Sequence, residues 1–146
     1  MNILSDFNHF TPIQIRFNDI DIMGHVNNAV QQHYFDYARL KYFGEVLKTA
    51  IDWKDKSLVI ASINIDFENP VFLDENIVVL TRTDKIGDKS LQMTQKIVTA
   101  DFREIKTSGI SVMVGFSKVE NNSVVIPGEW KERIRKYESL PVLTSY

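Results

Sequence analysis

From Ala29 to about Leu47 the chain reads as one long helix that is apolar on most of its faces. Val30, Tyr34, Tyr37, Ala38 and Tyr42 recur at three- and four-residue steps. Phe35, Leu40, Phe43, Val46 and Leu47 widen that stripe well beyond one side. A helix of this kind is buried rather than laid on a surface, so something must wrap it. In a chain of 146 residues the most economical wrapping is a curved sheet.

The rest of the sequence supplies one. Ahead of the helix, Ile13, Ile15 and Phe17 alternate with Gln14, Arg16 and Asn18, which predicts a half-buried strand. After it, a segment from Leu58 to Phe67 ends in the alternation Ile63, Ile65, Phe67, and Asn69-Pro70 breaks it. Asn76 to Ile86 and Ser90 to Ala100 flank Gly87-Asp88, a hairpin signal. A turn near Arg103-Glu104 and Gly109 leads into a final strand from about Ile110 to Val119. Asn121-Asn122 turns the chain once more. Pro127, followed by Glu129, Trp130, Ile134 and Tyr137, predicts a short C-terminal helix. Strands grouped after one long helix indicate an α+β fold with an antiparallel sheet. An uncovered sheet edge favours pairing into a dimer. No repeat, linker or low-complexity segment divides the chain, so residues 1–146 form one domain.

Composition removes several classes of function. Without cysteine there is no disulfide framework, thiolate metal site or cysteine nucleophile. Lys and Arg total 17 against 19 Asp and Glu, a net charge of −2 that gives no broad footprint for nucleic acid. No apolar run approaches the length that spans a bilayer, and the start of the chain has no apolar signal core, so a cytoplasmic location is expected. Phosphate-binding glycine loops, the nucleophile elbow and H-E-x-x-H are missing, and His9, His25 and His33 are too scattered to suggest a metal. Neither metal nor cofactor is expected. What remains is carboxylate and backbone chemistry.

That chemistry is concentrated before the helix, in Arg16-Phe17-Asn18-Asp19-Ile20-Asp21-Ile22-Met23-Gly24-His25-Val26-Asn27-Asn28. Asn27 or Asn28 can cap the helix with its side-chain oxygen. A helix start offers unpaired N–H groups and partial positive charge, which can hold a developing oxyanion. A neighbouring carboxylate can attack a carbonyl or activate water. Asp36 and Arg39, three residues apart on the helix, can form a surface ion pair.

The run Phe17, Asp19, Asp21, Gly24, followed by Tyr34, Asp36, Ala38 and Arg39, resembles the hotdog-fold thioesterases of the 4-hydroxybenzoyl-CoA thioesterase-like acyl-CoA hydrolase family. Gly24-His25-Val26-Asn27-Asn28 is also similar to the plant acyl-ACP thioesterases, from which Met23 departs where those enzymes carry asparagine. The resemblance covers about Ile13 to Val119. It implies a hotdog fold: a five- or six-stranded antiparallel sheet wrapped around a long central helix, here with a short C-terminal helix. It implies a homodimer or homotetramer with sites at subunit interfaces, and a substrate that is an acyl thioester of coenzyme A or of acyl carrier protein. By the same match Asp21 is the catalytic carboxylate and the Asn28 N–H points at the thioester oxygen. His25 bonds the carbonyl or orients Asp21. Asn27 and Asp36 take positioning roles, and Asp19 a structural one beside Arg16 or a backbone N–H. Tyr34 lines the substrate tunnel, and Gly87, Lys89 and Ser90 meet coenzyme A. Two other functions fit a chain of this kind: a hydratase or dehydratase acting on enoyl thioesters, and a non-catalytic acyl-CoA-binding module.

Overall fold

The long helix, α1 (Asn28–Leu47), lies in the hollow of a six-stranded antiparallel sheet. The computed structural model describes residues 3–48 and 54–140, with side chains from residue 5 onward. The strands are β1 (His9–Ile13), β2 (Lys56–Phe67), β3 (Ile77–Ile86), β4 (Ser90–Thr99), β5 (Ile105–Ser117) and β6 (Asn122–Ser123), followed by α2 (Gly128–Glu138). The sheet runs β1-β3-β4-β5-β2, with the two-residue β6 pairing beside β5. Register shifts at Ile60/Ser62, Thr83/Lys85 and Ile97/Val98 bend three of the pairings. Bulges of this kind add local twist, which curls a sheet around a helix. This is the hotdog arrangement that the resemblance implies.

Two apolar clusters fill the hollow. The N-terminal half of α1 packs Tyr34, Phe35 and Ala38 against Ile77, Val79 and Ile97. The C-terminal half packs Tyr42, Phe43 and Leu47 against Ile86, Met93 and the Trp130 and Ile134 side chains of α2. Three polar side chains on the buried face of α1 reach the sheet. Gln31 accepts from the Thr107 hydroxyl, Arg39 donates to Gln95 Oε1 at 2.7 Å, and the Tyr42 hydroxyl lies 3.0 Å from that of Thr83. Gln95 in turn donates to the Phe35 carbonyl at 3.1 Å, so helix and sheet are locked in register by buried bonds.

Several sequence expectations are corrected here. The first strand is His9–Ile13, upstream of the Ile13-Ile15-Phe17 alternation. Its position is set by pairing with β3, from His9 opposite Thr81 to Ile13 opposite Ile77. Pro12 fits because β1 is an edge strand and proline cannot donate to a second neighbour. Phe17 lies in a short 3-10 turn, Phe17–Asp19, and is exposed. The last long strand starts at Ile105, so Gly109 is inside it. A Cβ there would sit 3.1 Å from Phe35 Cε2, so glycine makes room for that ring. The burial of α1 is one broad face, with Tyr37 and Leu40 on the open side exposed by 46% and 56%. Pro127 is the residue before α2, whose first helical residue is Gly128.

Gly115 has the least room of the described glycines. A Cβ built on it would lie 2.5 Å from the Val124 carbonyl oxygen, where the chain doubles back after β6. Gly115→Ala is expected to lower stability by roughly 1–3 kcal/mol, the usual cost of forcing extra volume into a packed site. A urea titration checks this; an unchanged midpoint at unchanged slope contradicts it.

Candidate active site

The residues between β1 and α1 make a small closed loop. Ile20 and Val26 form an antiparallel bridge, and the Asp21 N–H donates to the His25 carbonyl at 3.1 Å. The Gly24 N–H donates to the Asp21 carbonyl at 2.9 Å. Gly24 has φ +86°, a conformation that costs glycine little and a side-chain-bearing residue more. Asp21 therefore stands at the head of a tight turn, half-buried, with Ile22 and Met23 beside it exposed to solvent.

Both oxygens of the Asp21 carboxylate accept hydrogen bonds. Met23 N–H donates to Oδ1 at 2.9 Å, an Asx-type turn, and Asn27 Nδ2 donates to Oδ2 at 3.1 Å. Asn27 is also the helix cap: its Oδ1 accepts from the Ala29 N–H at 2.8 Å. One asparagine side chain therefore joins the carboxylate to the start of α1. Asn28 is the first helical residue. Among the described residues its N–H has no acceptor, as expected for the orphan donors of a helix start. The site thus sets a carboxylate acceptor next to an unpaired donor on the positive end of a 20-residue helix. That pairing can remove a proton from water, or attack directly, and receive negative charge on an oxygen nearby.

The other expected residues divide. His25 is joined to Asp21 through its backbone carbonyl, while its imidazole packs edge-on to Phe72 with ring centroids 6.4 Å apart. Asp19 is buried and accepts from Tyr34 Oη at 2.5 Å, from the Arg16 N–H at 2.9 Å and from the Arg16 guanidinium at 3.4 Å. Tyr34 is buried too, its hydroxyl committed to that bond. Asp36 lies two turns along α1, exposed, and pairs with the buried Arg39. Gly87, Lys89 and Ser90 form the β3–β4 hairpin beside the C-terminal half of α1, where Ile86 and Leu91 pack with Leu47. At 1.5 Å per residue α1 is roughly 30 Å long, so one chain does not bring that hairpin to Asp21.

Two features of the site have no motif in the sequence. The loop before β3 folds back onto it: the Val26 N–H donates to the Val71 carbonyl at 2.8 Å, and Phe72 meets His25. Lys106, almost fully buried, anchors that loop through Glu75 at 2.9 Å, also pairs with Glu104 at 3.3 Å beside its own strand, and lies over the Phe72 ring. Burial alone would lower the Lys106 pKa, but the two carboxylates outweigh it and hold it above its usual value. Asn69-Pro70 signals a loop at this point, but nothing in a linear sequence tells where it lands. Among the described residues, no three His, Asp or Glu side chains gather into a metal-holding cluster. Among the described residues, no helix is long and apolar enough to cross a membrane.

Known proteins share this fold. The model of the thioesterase-like superfamily matches residues 15–134. A thioesterase from Thermus thermophilus, whose crystal structure is complexed with coenzyme A and Zn, is 29% identical with a TM-score of 0.80, over 94% of this chain and 98% of that one. The PA5185 protein of Pseudomonas aeruginosa PAO1 is 27% identical with a TM-score of 0.82, over 92% of this chain and 94% of that one. The long-chain acyl-CoA thioesterase FadM of Escherichia coli K12 is 21% identical over 86% of this chain and 96% of its own length.

Burial raises the Asp19 pKa, but the Tyr34 hydroxyl and then Arg16 more than reverse this, leaving it below the ordinary 3.8. A carboxyl depressed by folding contributes stability above its unfolded pKa and loses it as the pH falls through the folded one. The unfolding free energy of wild type minus that of Asp19→Asn is therefore expected to stay level from pH 7 to about 4 and to shrink below. A difference that shrinks already near neutrality contradicts the assignment.

Proposed function

The chain belongs to the thioesterase-like superfamily, and on that footing we propose that it hydrolyses acyl thioesters of coenzyme A, with Asp21 as its catalytic carboxylate. The observation that carries the reading is the Asn27 side chain. It caps α1 through Oδ1 and holds Asp21 through Nδ2, so carboxylate and oxyanion donor are built as one unit. The coenzyme A bound by the Thermus thermophilus thioesterase and the acyl-CoA substrate named for FadM support the carrier.

The thioester carbonyl oxygen lies at the Asn28 N–H, facing the positive end of α1. Asp21 either takes the proton of an attacking water or adds to the carbonyl carbon itself. In both routes the charge that forms on the carbonyl oxygen is held by the helix start, where one lost donor typically costs ~3–4 kcal/mol of transition-state stabilisation. The carbon–sulfur bond then breaks, the coenzyme A thiolate takes a proton, and the carboxylic acid leaves. In the direct route that cleavage leaves an acyl–Asp21 mixed anhydride, and the single water of the reaction then hydrolyses it, releasing the acid and restoring the carboxylate. Ile22, Met23 and Phe72 give the site an apolar rim, which suits the acyl group.

A second copy completes the site. β2 is a free edge of twelve residues, with Val59, Ile60, Ile63 and Phe67 exposed. A long apolar edge is a template for another strand. Its Phe67 end adjoins the loop that reaches Val26, whereas Lys56 pairs with Ser117 near Gly115, which bonds the Lys89 carbonyl at 2.9 Å. Antiparallel pairing of two β2 edges sets the Asp21 end of each copy beside the hairpin Gly87–Ser90 of the other. Lys89 is thereby placed to meet the coenzyme A phosphates.

Two measurements test this reading. Thiol release is followed over acyl-CoAs from acetyl to palmitoyl, with benzoyl and phenylacetyl; the chain has no cysteine, so background is low. Asp21→Asn is expected to lower kcat by roughly 10²–10⁴. Turnover that survives removes Asp21 from the chemistry; binding of acyl-CoA without turnover by the wild type indicates a binding module. Light scattering should find a dimer or tetramer, and Ile63→Lys is expected to yield monomers that hydrolyse poorly. A fully active monomer overturns the shared site.

A further inference from the structure

Besides the Val26 N–H bond to the Val71 carbonyl, the turn that carries Asp21 is held at two points. On one side it continues directly into α1 through Asn27. On the other it hangs from Asp19, whose carbonyl accepts the Asn27 N–H at 2.9 Å and closes the loop. The placement of Asp21 over the helix start therefore depends on what holds Asp19.

Three contacts hold its carboxylate. Two come from Arg16, three residues back in the same segment; they cap the turn Phe17–Asp19 and do not connect it to α1. The third comes from Tyr34, six residues into α1, at 2.5 Å. Side chains on a helix lean toward its N-terminus, so Tyr34 is well directed to reach back over its own first turn. It is buried in one apolar cluster with Ile15, Val26, Phe35 and Val71, which limits the positions its hydroxyl can take. Asp19 is only 2% exposed, so water offers little competition for the bond.

We infer that Tyr34, acting through Asp19, is a positioning residue that sets the distance between Asp21 and the first turn of α1. The inference rests on the role proposed for Asp21 above. It also separates Tyr34 from the substrate contact expected of it from sequence. Asp19 and Tyr34 do line a cavity of about 510 Å³ with Val30, Tyr37 and Pro12, so a direct contact with substrate is the rival role. The two roles differ in kinetics. A side chain that positions the carboxylate changes kcat and leaves KM, whereas one that binds substrate equally in ground and transition states changes KM.

The experiment is a double-mutant cycle of Tyr34→Phe with Asp21→Asn, read on acyl-CoA hydrolysis with enzyme in excess. Tyr34→Phe alone is expected to lower kcat by roughly ten- to a hundred-fold with KM little changed, the scale of loss when a reacting group moves by about 1 Å. In the Asp21→Asn background it should cost almost nothing more, since the group it positions is already gone. Asp19→Asn, which keeps an oxygen acceptor for Tyr34, should lose less than Tyr34→Phe. A raised KM with kcat retained, losses that multiply in the double variant, or wild-type activity in Tyr34→Phe each overturn the inference. Amide exchange gives a readout independent of catalysis: residues 20–26 should exchange faster in Tyr34→Phe while α1 beyond Tyr34 stays protected. Unchanged exchange also overturns it. A wild type that hydrolyses no acyl-CoA defeats the proposed function instead, and the exchange result still decides whether Tyr34 holds the loop.

Discussion

Burying α1 is the constraint from which the other features follow. Its inward face carries Gln31, Arg39 and Tyr42 as well as apolar side chains, and a buried polar group without a partner is costly. Thr107, Gln95 and Thr83, each on a different strand, meet those needs. Apolar packing tolerates small slides of a helix; hydrogen bonds of fixed reach do not. With its register set, the N-terminus of α1 emerges at one defined place at the end of the sheet. The loop that carries Asp21 is built on that place.

The site extends the same economy. A helix start leaves N–H groups without partners, and proteins usually quiet them with a cap. Here the cap takes the Ala29 N–H and leaves the Asn28 N–H open. The other end of the capping side chain holds a carboxylate, so a structural necessity and a reactive arrangement share one residue. Support arrives from farther along the chain. Tyr34 grips the near side of the loop, and the loop containing Val71 and Phe72, pinned by the buried Lys106, backs the far side. Such supports are what keep a reacting group within the narrow tolerance that chemistry demands.

The open parts of the molecule are equally informative. β2 shows apolar side chains along a free edge, and Ile22 and Met23 stand in solvent beside Asp21. Apolar surface at an unpaired edge and at an exposed loop is the kind that another surface covers, as the proposed second copy and acyl group do. The Gly87–Ser90 hairpin lies far from Asp21 in one chain, and the proposed pairing along β2 unites them.

Local pattern is enough to read much of this from sequence. The span of α1, its asparagine cap and the hairpin at Gly87-Asp88 depend on neighbours a few residues apart, and they are found where periodicity and turn chemistry put them. The grouping of Asp19, Asp21 and the two asparagines before the helix is legible for the same reason. The first strand is not: the Ile13-Ile15-Phe17 alternation loses to His9–Ile13 because partnership with β3 decides which residues pair. Gly109 reads as a turn, yet it is a strand glycine shaped by Phe35, a residue 74 positions earlier in the numbering. Tyr34 reaching Asp19, Lys106 pinning the Phe72 loop and the open stripe of Tyr37 and Leu40 are likewise invisible in one dimension. Short-range spacing sufficed to specify the elements and to gather the chemistry at the helix start, since both depend on residues within a turn or two of each other. Which side chains hold that chemistry in place, and which surfaces stay bare, was settled by the folded chain, through contacts between segments far apart in sequence.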